Sequence, residues 1–233
     1  DPDILGIQEL FAESDTNDFH ADLPDYDVLY FKDDTGESIL TEYPDASIFY
    51  RRGMFEVLDN GYYWLSETPD TPWSGGWADS NLWRIVAWAH FRHIESGREF
   101  YFASTHFDNN YPNQEHSAPL VLSKTQPWAE RMPVIFVGDF NSKPDSIAYG
   151  ILANGAEGSD FHLKNTFDFT EQWNAFSNME DAPVYDPAHR IDHIWVAGDY
   201  GYSSKYWTVD VSVYGENNLP PSDHYPMVAE ITF

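Results

Sequence analysis

Residues 134 to 144 read VIFVGDFNSKP, and no other stretch constrains the fold as tightly. Four consecutive apolar residues run straight into Gly138, Asp139, Phe140 and Asn141. Such a run reads as a strand buried on both faces. Side chains on an extended chain alternate sides, so Asp139 and Asn141 point one way and Phe140 the other. Two oxygen-bearing groups then converge at the mouth of a core, which is costly as packing and useful as a site. Taken alone, the pair is better explained as a strand-end turn whose Asn caps the next segment.

Other short runs repeat the pattern. Ile4–Ile7 is a strand ending in Gln8-Glu9, and residues 10–19 suit a helix. ASIFYRR (46–52) and GYYWLS (61–66) read as extended pieces separated by a turn. RIVAWAHFRHI (84–94) and REFYFASTHF (98–107) form a hairpin around Glu95-Ser96-Gly97. Residues 113–131 have helical spacing, which Pro127 breaks or kinks. SIAYGILANG (146–155) is a short helix stopped by glycine. Residues 155–188 are loop-rich and polar, and RIDHIWVAG, TVDVSVYG and MVAEITF are three closing strands. Residues 69–83, PDTPWSGGWADSNLW, make a loop too long to be mere connection. Many strands and few helices predict two packed sheets flanked by helices.

The totals limit what such a fold can do. With 233 residues, 42% of them hydrophobic, the chain forms one domain, residues 1–233, with a substantial core. It holds 39 Asp and Glu against 12 Lys and Arg, a net charge of −27. Self-repulsion at that level destabilises the compact state and is relieved by salt. The acids are scattered, as in AESDTND and DDTGES, so the surface reads as salt-adapted; an ordinary acidic protein with a cation-rich surface is the plainer alternative. No basic stripe offers broad attraction to nucleic acid, although salt screening leaves a polyanionic substrate open. Cysteine is absent, which rules out disulfides and thiolate metal sites. No apolar run approaches membrane-spanning length, and a monomer is expected. Export into brine and the cytoplasm of a salt-accumulating cell fit equally well. The chain opens DPDILGIQE, without Met and already inside a strand, so an upstream segment is expected.

Five strand ends share the feature of the opening stretch: Gln8-Glu9, Thr105-His106, Gly138 to Asn141, Asp192-His193, and Ser222-Asp223-His224 before the last strand. If these strands are neighbours in a sheet, their ends build one cluster of carboxylate, amide and imidazole. Carboxylate and carboxamide oxygens are hard ligands suited to Mg²⁺ or Mn²⁺.

Taken together, LGIQE, STHFD, VGDFNSKPDS, RIDHIWV and PSDHYPMVAEI resemble the endonuclease/exonuclease/phosphatase superfamily, the deoxyribonuclease I-like proteins. The resemblance is ordered along nearly the whole chain, and the central stretch also resembles a branch of small prokaryotic members. It implies a four-layer α/β/β/α sandwich of two packed mixed β-sheets. It implies Mg²⁺ or Mn²⁺ held by Glu9, with Asp223 a second metal-side carboxylate. Asp139 would orient or deprotonate the attacking water, and Asn141 would position that water and the phosphate. His224 would stabilise phosphoryl charge or protonate the leaving group, paired with Asp192. His106 would bind phosphate, with Asp108 a nearby polar contact and Arg84 placed to meet a phosphate oxygen. Family members begin with a strand carrying an Asn ligand, which this sequence lacks. Trp73, Trp77 and Trp83 either stack on a base, sugar or headgroup or clip the long loop to the sheet; Trp77 is taken as the substrate contact. His193 points away from Asp192 and reads as core or supporting packing.

The expected activity is in-line hydrolysis of a phosphate ester, foremost as a phosphodiesterase or nuclease active in salt with DNA or RNA as substrate. The alternatives are a phosphatase or small-diester hydrolase for sugar, inositol or lipid phosphates, and a catalytically inactive binding module.

Overall fold

A computed structural model of the protein describes residues 1–33, 35–37, 46–77, 80 and 82–233. In chain order the elements are β1 (Ile4–Ile7), α1 (Glu13–Asp22), β2 (Tyr26–Val28), β3 (Ser47–Arg51), β4 (Phe55–Trp64), β5 (Ile85–His93) and β6 (Glu99–His106). There follow α2 (Asn113–Ala129), β7 (Val134–Asp139), α3 (Ile147–Asn154), β8 (Lys164–Asn165), α4 (Thr166–Phe169), β9 (Thr170–Phe176), β10 (Asp192–Ala197), β11 (Ser203–Asp210) and β12 (Met227–Thr232).

The double-sided burial of β7 sets the layering. Val134 and Phe136 face one core together with Val121, Leu122 and Leu152 of the helices α2 and α3. Ile135 and Val137 face the other, with Ile48, Phe91 and Phe102. The alternation of the pleat thus places one apolar residue in each core in turn. β7 lies inside a six-stranded mixed sheet of order β4-β5-β6-β7-β10-β8. Opposite it stand two three-stranded sheets, β1-β3-β2 and β12-β11-β9. β1 packs on β6 and β7, and β12 packs on β10. The Phe49 side chain leaves β3 on the outer side and meets Phe19 of α1, ring centroids 5.4 Å apart. The layers are therefore helices, six-stranded sheet, opposing strands and helix, a mixed α/β sandwich as expected.

Gly6 makes the two β layers fit. A Cβ there would sit 2.3 Å from Val137 Cγ2 and 2.7 Å from Ser104 Oγ, so only hydrogen lets β1 approach this closely.

Four expectations change. The opposing layer is two separate three-stranded sheets among the described residues, so β1 and β12 are not in the sheet of β6, β7 and β10. Residues 55–64 are a single strand whose pairing slips between Val57 and Asp59, not a turn followed by a new piece. Helix α2 continues past Pro119 and Pro127 to Ala129, because its buried face (Ala118, Val121, Leu122, Thr125, Ala129) holds it on the sheet. Residues 155–188 include β9, an edge strand parallel to β11 that is mostly exposed and so lacks the apolar alternation of a buried strand. In the long loop, Trp73 packs between Trp64 and Trp83 at 5.1 and 5.9 Å. Residues 78, 79 and 81 of that loop, and 34 and 38 of the acidic stretch, lie outside the described residues. Among the described residues no helix is long and apolar enough to cross a membrane.

Gly6→Ala is expected to cost about 1–3 kcal/mol of stability through overpacking against Val137 and Ser104. Urea unfolding of the two proteins side by side measures it; equal midpoints would refute the close-approach account.

Candidate active site

Sheet register builds the site. β6 runs parallel to β7 with His106 opposite Asp139, and β10 runs antiparallel to β7 with Asp192 opposite Asp139. Three polar side chains from distant parts of the chain are thereby abreast at one sheet end. Gly138, one step back, has φ +145°, and a Cβ on it would lie 2.0 Å from the Thr105 carbonyl oxygen. Any side chain there would push β6 off β7, so glycine is the residue that keeps His106 beside Asp139.

Asp139 is the hub. Its Oδ2 lies 3.3 Å from His106 Nε2 and 4.0 Å from His224 Nε2. Its Oδ1 accepts the backbone N–H of Asn141 at 2.7 Å. Asn141 adopts a left-handed φ of 46°, and its side-chain amide donates to the Phe107 carbonyl at 2.9 Å. The turn after β7 thus ties back to the end of β6. Burial pushes the Asp139 carboxyl up, but the hydrogen bonds from His106 and Asn141 and the charge of His224 leave it below its ordinary value. Asp139 is therefore ionised at neutral pH.

His224 comes from the loop before β12. Its Nδ1 is 2.9 Å from Asp192 Oδ2. That hydrogen bond, helped by the charges of Asp192, Asp139 and Asp223, raises its pKa to about 9 against the cost of burial. Burial and the neighbouring Asp139 charge push Asp192 up, opposed by the hydrogen bond from His224, and the proton of the pair rests on the imidazole.

The other expected residues are placed as follows. Arg84 is buried, its guanidinium nitrogen 2.7 Å from His106 Nδ1. Asp108 is buried with one oxygen taking the Ser80 hydroxyl and the other Asn110, so it ties the long loop to the end of β6. Trp77 is half-buried and stacks on His116 at 5.4 Å. Glu9 is exposed in the turn after β1, with φ 64°, while its neighbour Gln8 donates to Ser104 on β6 at 3.1 Å. Asp223 is exposed beside His224. Sequence reasoning missed two residues. Ser80 is 28 positions from Asp108, and nothing local marks it. Asn165, in NTFDF, is buried and holds His193, whose own ring is buried and neutral, its pKa pushed down to about 3 by burial.

Asp139, Asp192 and His224 offer ligand atoms within 4.8 Å of one another, a group able to hold a metal ion. Its carboxylates suit a hard divalent cation. His224, however, holds its proton against Asp192, and an imidazolium has no lone pair to give. The fit therefore lies with the carboxylates of Asp139 and Asp192.

A two-dimensional NMR titration is expected to show the His224 ring losing its proton near pH 9, with Asp192→Asn returning it towards 6.5. Because the folded value is raised, the associated stability is complete below about pH 6.5 and is lost as pH rises through about 9. A wild-type midpoint near 6.5 would refute the ion pair.

A family model described as the endonuclease/exonuclease/phosphatase family matches residues 1–224. The chain is similar to the solved structure of the mannosyl-6-phosphatase Bt3783 of Bacteroides thetaiotaomicron VPI-5482, with 32% identity, 99% of this chain and 85% of that one covered, and a TM-score of 0.81. It is similar to an endonuclease/exonuclease/phosphatase of Bacteroides vulgatus, with 28% identity, coverage of 99% and 84%, and a TM-score of 0.79. The fold extends to D. rerio TDP2 complexed with a single-strand DNA product, at 16% identity, coverage of 100% and 86%, and a TM-score of 0.69. A search of the curated proteins found no match. With nearly its whole length matched and the layered fold shared, the chain belongs to the endonuclease/exonuclease/phosphatase family.

Proposed function

We infer that the protein is a phosphoric ester hydrolase centred on Asp139. The observation that carries this is the convergence of an ionised carboxylate, two imidazoles and a left-handed Asn turn on one sheet end. Asp139 and Asn141 align a water for in-line attack on phosphorus, with Asp139 taking its proton. His224, cationic up to about pH 9, faces the same oxygen of Asp139 and donates a proton to the departing oxygen. Asp192 holds the His224 ring in place and in charge. Arg84 donates to His106 Nδ1, so the His106 proton is on Nε2, shared between Asp139 and the phosphoryl oxygens, and Arg84 supplies the positive charge behind it. Asp108 acts through the loop that it ties, and Trp77, within that loop, is a wall for the substrate. Glu9 and Asp223 would hold Mg²⁺ or Mn²⁺, which when bound polarises a phosphoryl oxygen. The proposal includes one domain over residues 1–233.

For the substrate, a sugar phosphate monoester is the first reading. A protein of 32% identity over 99% of this chain is a mannosyl-6-phosphatase. A chain of charge −27 also repels a polyanion more than a small phosphate. This reverses the order of substrates that motif resemblance alone suggests. A phosphodiester in nucleic acid is the second reading, one that the same catalytic groups would serve under salt screening.

A panel of mannose 6-phosphate, p-nitrophenyl phosphate, bis(p-nitrophenyl) phosphate and plasmid DNA, with Mg²⁺ or EDTA, tests both. Monoester turnover lost in EDTA is expected; turnover of DNA alone would favour the second reading. Asp139→Ala and His224→Ala are expected to lower kcat by at least about 100-fold with circular dichroism unchanged. Near-full activity in either would sink the mechanism. The surface charge predicts a thermal midpoint that climbs as NaCl rises from about 0.1 to 1 M, over which screening shortens from about 10 to 3 Å. A flat profile would remove the salt-adapted reading.

A further inference from the structure

The turn carrying Asn141 is held from two sides. Asn141 adopts the left-handed region at φ 46°, which asparagine tolerates better than most residues. Its amide and its N–H are tied on the site side, to Phe107 and Asp139. The next carbonyl, that of Ser142, emerges behind the site, where His193 Nε2 meets it at 2.8 Å. We propose that His193 is a positioning residue, a neutral, buried clamp that fixes the Asn141 turn from behind through the Ser142 carbonyl.

Hydrogen-bond logic leaves one arrangement. The backbone N–H of Phe167 can only donate, and it meets Asn165 Oδ1 at 3.0 Å. The amide nitrogen of Asn165 must then be the atom 3.2 Å from His193 Nδ1, and it too can only donate. Nδ1 therefore accepts, and the ring proton is on Nε2, where it is donated to Ser142. One main-chain N–H at the start of α4 thus orients an amide, sets a tautomer and secures the catalytic turn. Packing keeps the ring in register: Tyr149, Trp195 and Phe140 lie 5.0, 5.5 and 5.8 Å from it, centroid to centroid. The ring is 2% exposed, which shuts out water as a competing partner for Ser142. β10 thereby acts on both sides of the turn. Asp192 serves His224 in front, and His193 holds Ser142 behind.

The effect on rate rests on the hydrolase reading; the restraint itself does not, so it is measured separately. In the wild type, ¹⁵N NMR should show His193 as the neutral Nε2–H tautomer, and the Asn141 backbone amide should exchange slowly. His193→Phe keeps ring bulk and removes the donor. It should speed exchange at Asn141 about tenfold, leave the Val137 and Ile194 amides unchanged, and lower kcat about tenfold with KM within about twofold. His193→Gln, whose amide can donate from the same place, should recover most of both. If His193→Phe does not fold, Asn165→Ala serves: it removes the amide that holds Nδ1, so the ring loses its anchor and Asn141 should exchange faster. Wild-type exchange at Asn141 in His193→Phe or in Asn165→Ala, no recovery in His193→Gln, or the Nδ1–H tautomer in the wild type would each overturn the proposal. If the wild type turns over no phosphate ester, the functional reading fails, while tautomer and exchange still decide the clamp.

Discussion

The contact between Gly138 and the Thr105 carbonyl governs much of what lies around it. Parallel β6 and β7 come together at their ends because Gly138 carries no side chain. That approach sets His106 against Asp139, and the antiparallel pairing of β10 adds Asp192 on the other flank. From there His224 is recruited by Asp192, and the Asn141 turn by Asp139 and Phe107. The site is a consequence of sheet register, with loops added at its edge. Placing reactive groups on rigid strands holds them within the tolerances that catalysis demands.

Charge is used in opposite ways inside and outside. The surface carries most of 39 acidic residues against few bases, and its mutual repulsion calls for counterions. Within the site each charge is answered. Asp192 answers His224, and His106 and His224 flank Asp139. Behind the site Arg190 is buried over the Phe167 ring at 4.3 Å. His193 stays neutral in the same region, where a second cation close to Arg190 would be unfavourable.

A good part of this was readable beforehand. Val134 to Val137 announced a doubly buried strand, and the pleat carried Asp139 to the site side and Phe140 into the core, where it packs on Phe136 and Phe107. The pairing of Asp192 with His224 followed from motif resemblance and appears as a hydrogen bond. Other features were not legible. β9 has no buried face to impose a pattern, and the division of the second layer depends on edges that no local sequence encodes. The resemblance gave Asp108 as a polar contact near the phosphate, and nothing in the local sequence says that its oxygens take Ser80 and Asn110.

What the sequence by itself determined is local and chemical: which stretches are extended, which side of each strand a residue takes, and which acids, amides and imidazoles end them. Period-two alternation and side-chain chemistry act within a few residues, so they survive without a fold. The tertiary structure alone decided who meets whom. Register between strands brought His106, Asp139 and Asp192 abreast, and close packing enclosed His193 between Asn165 and Ser142. These are long-range pairings whose geometry depends on the whole sheet closing at once, and proton positions such as those on His224 and His193 follow only once the neighbours are in place.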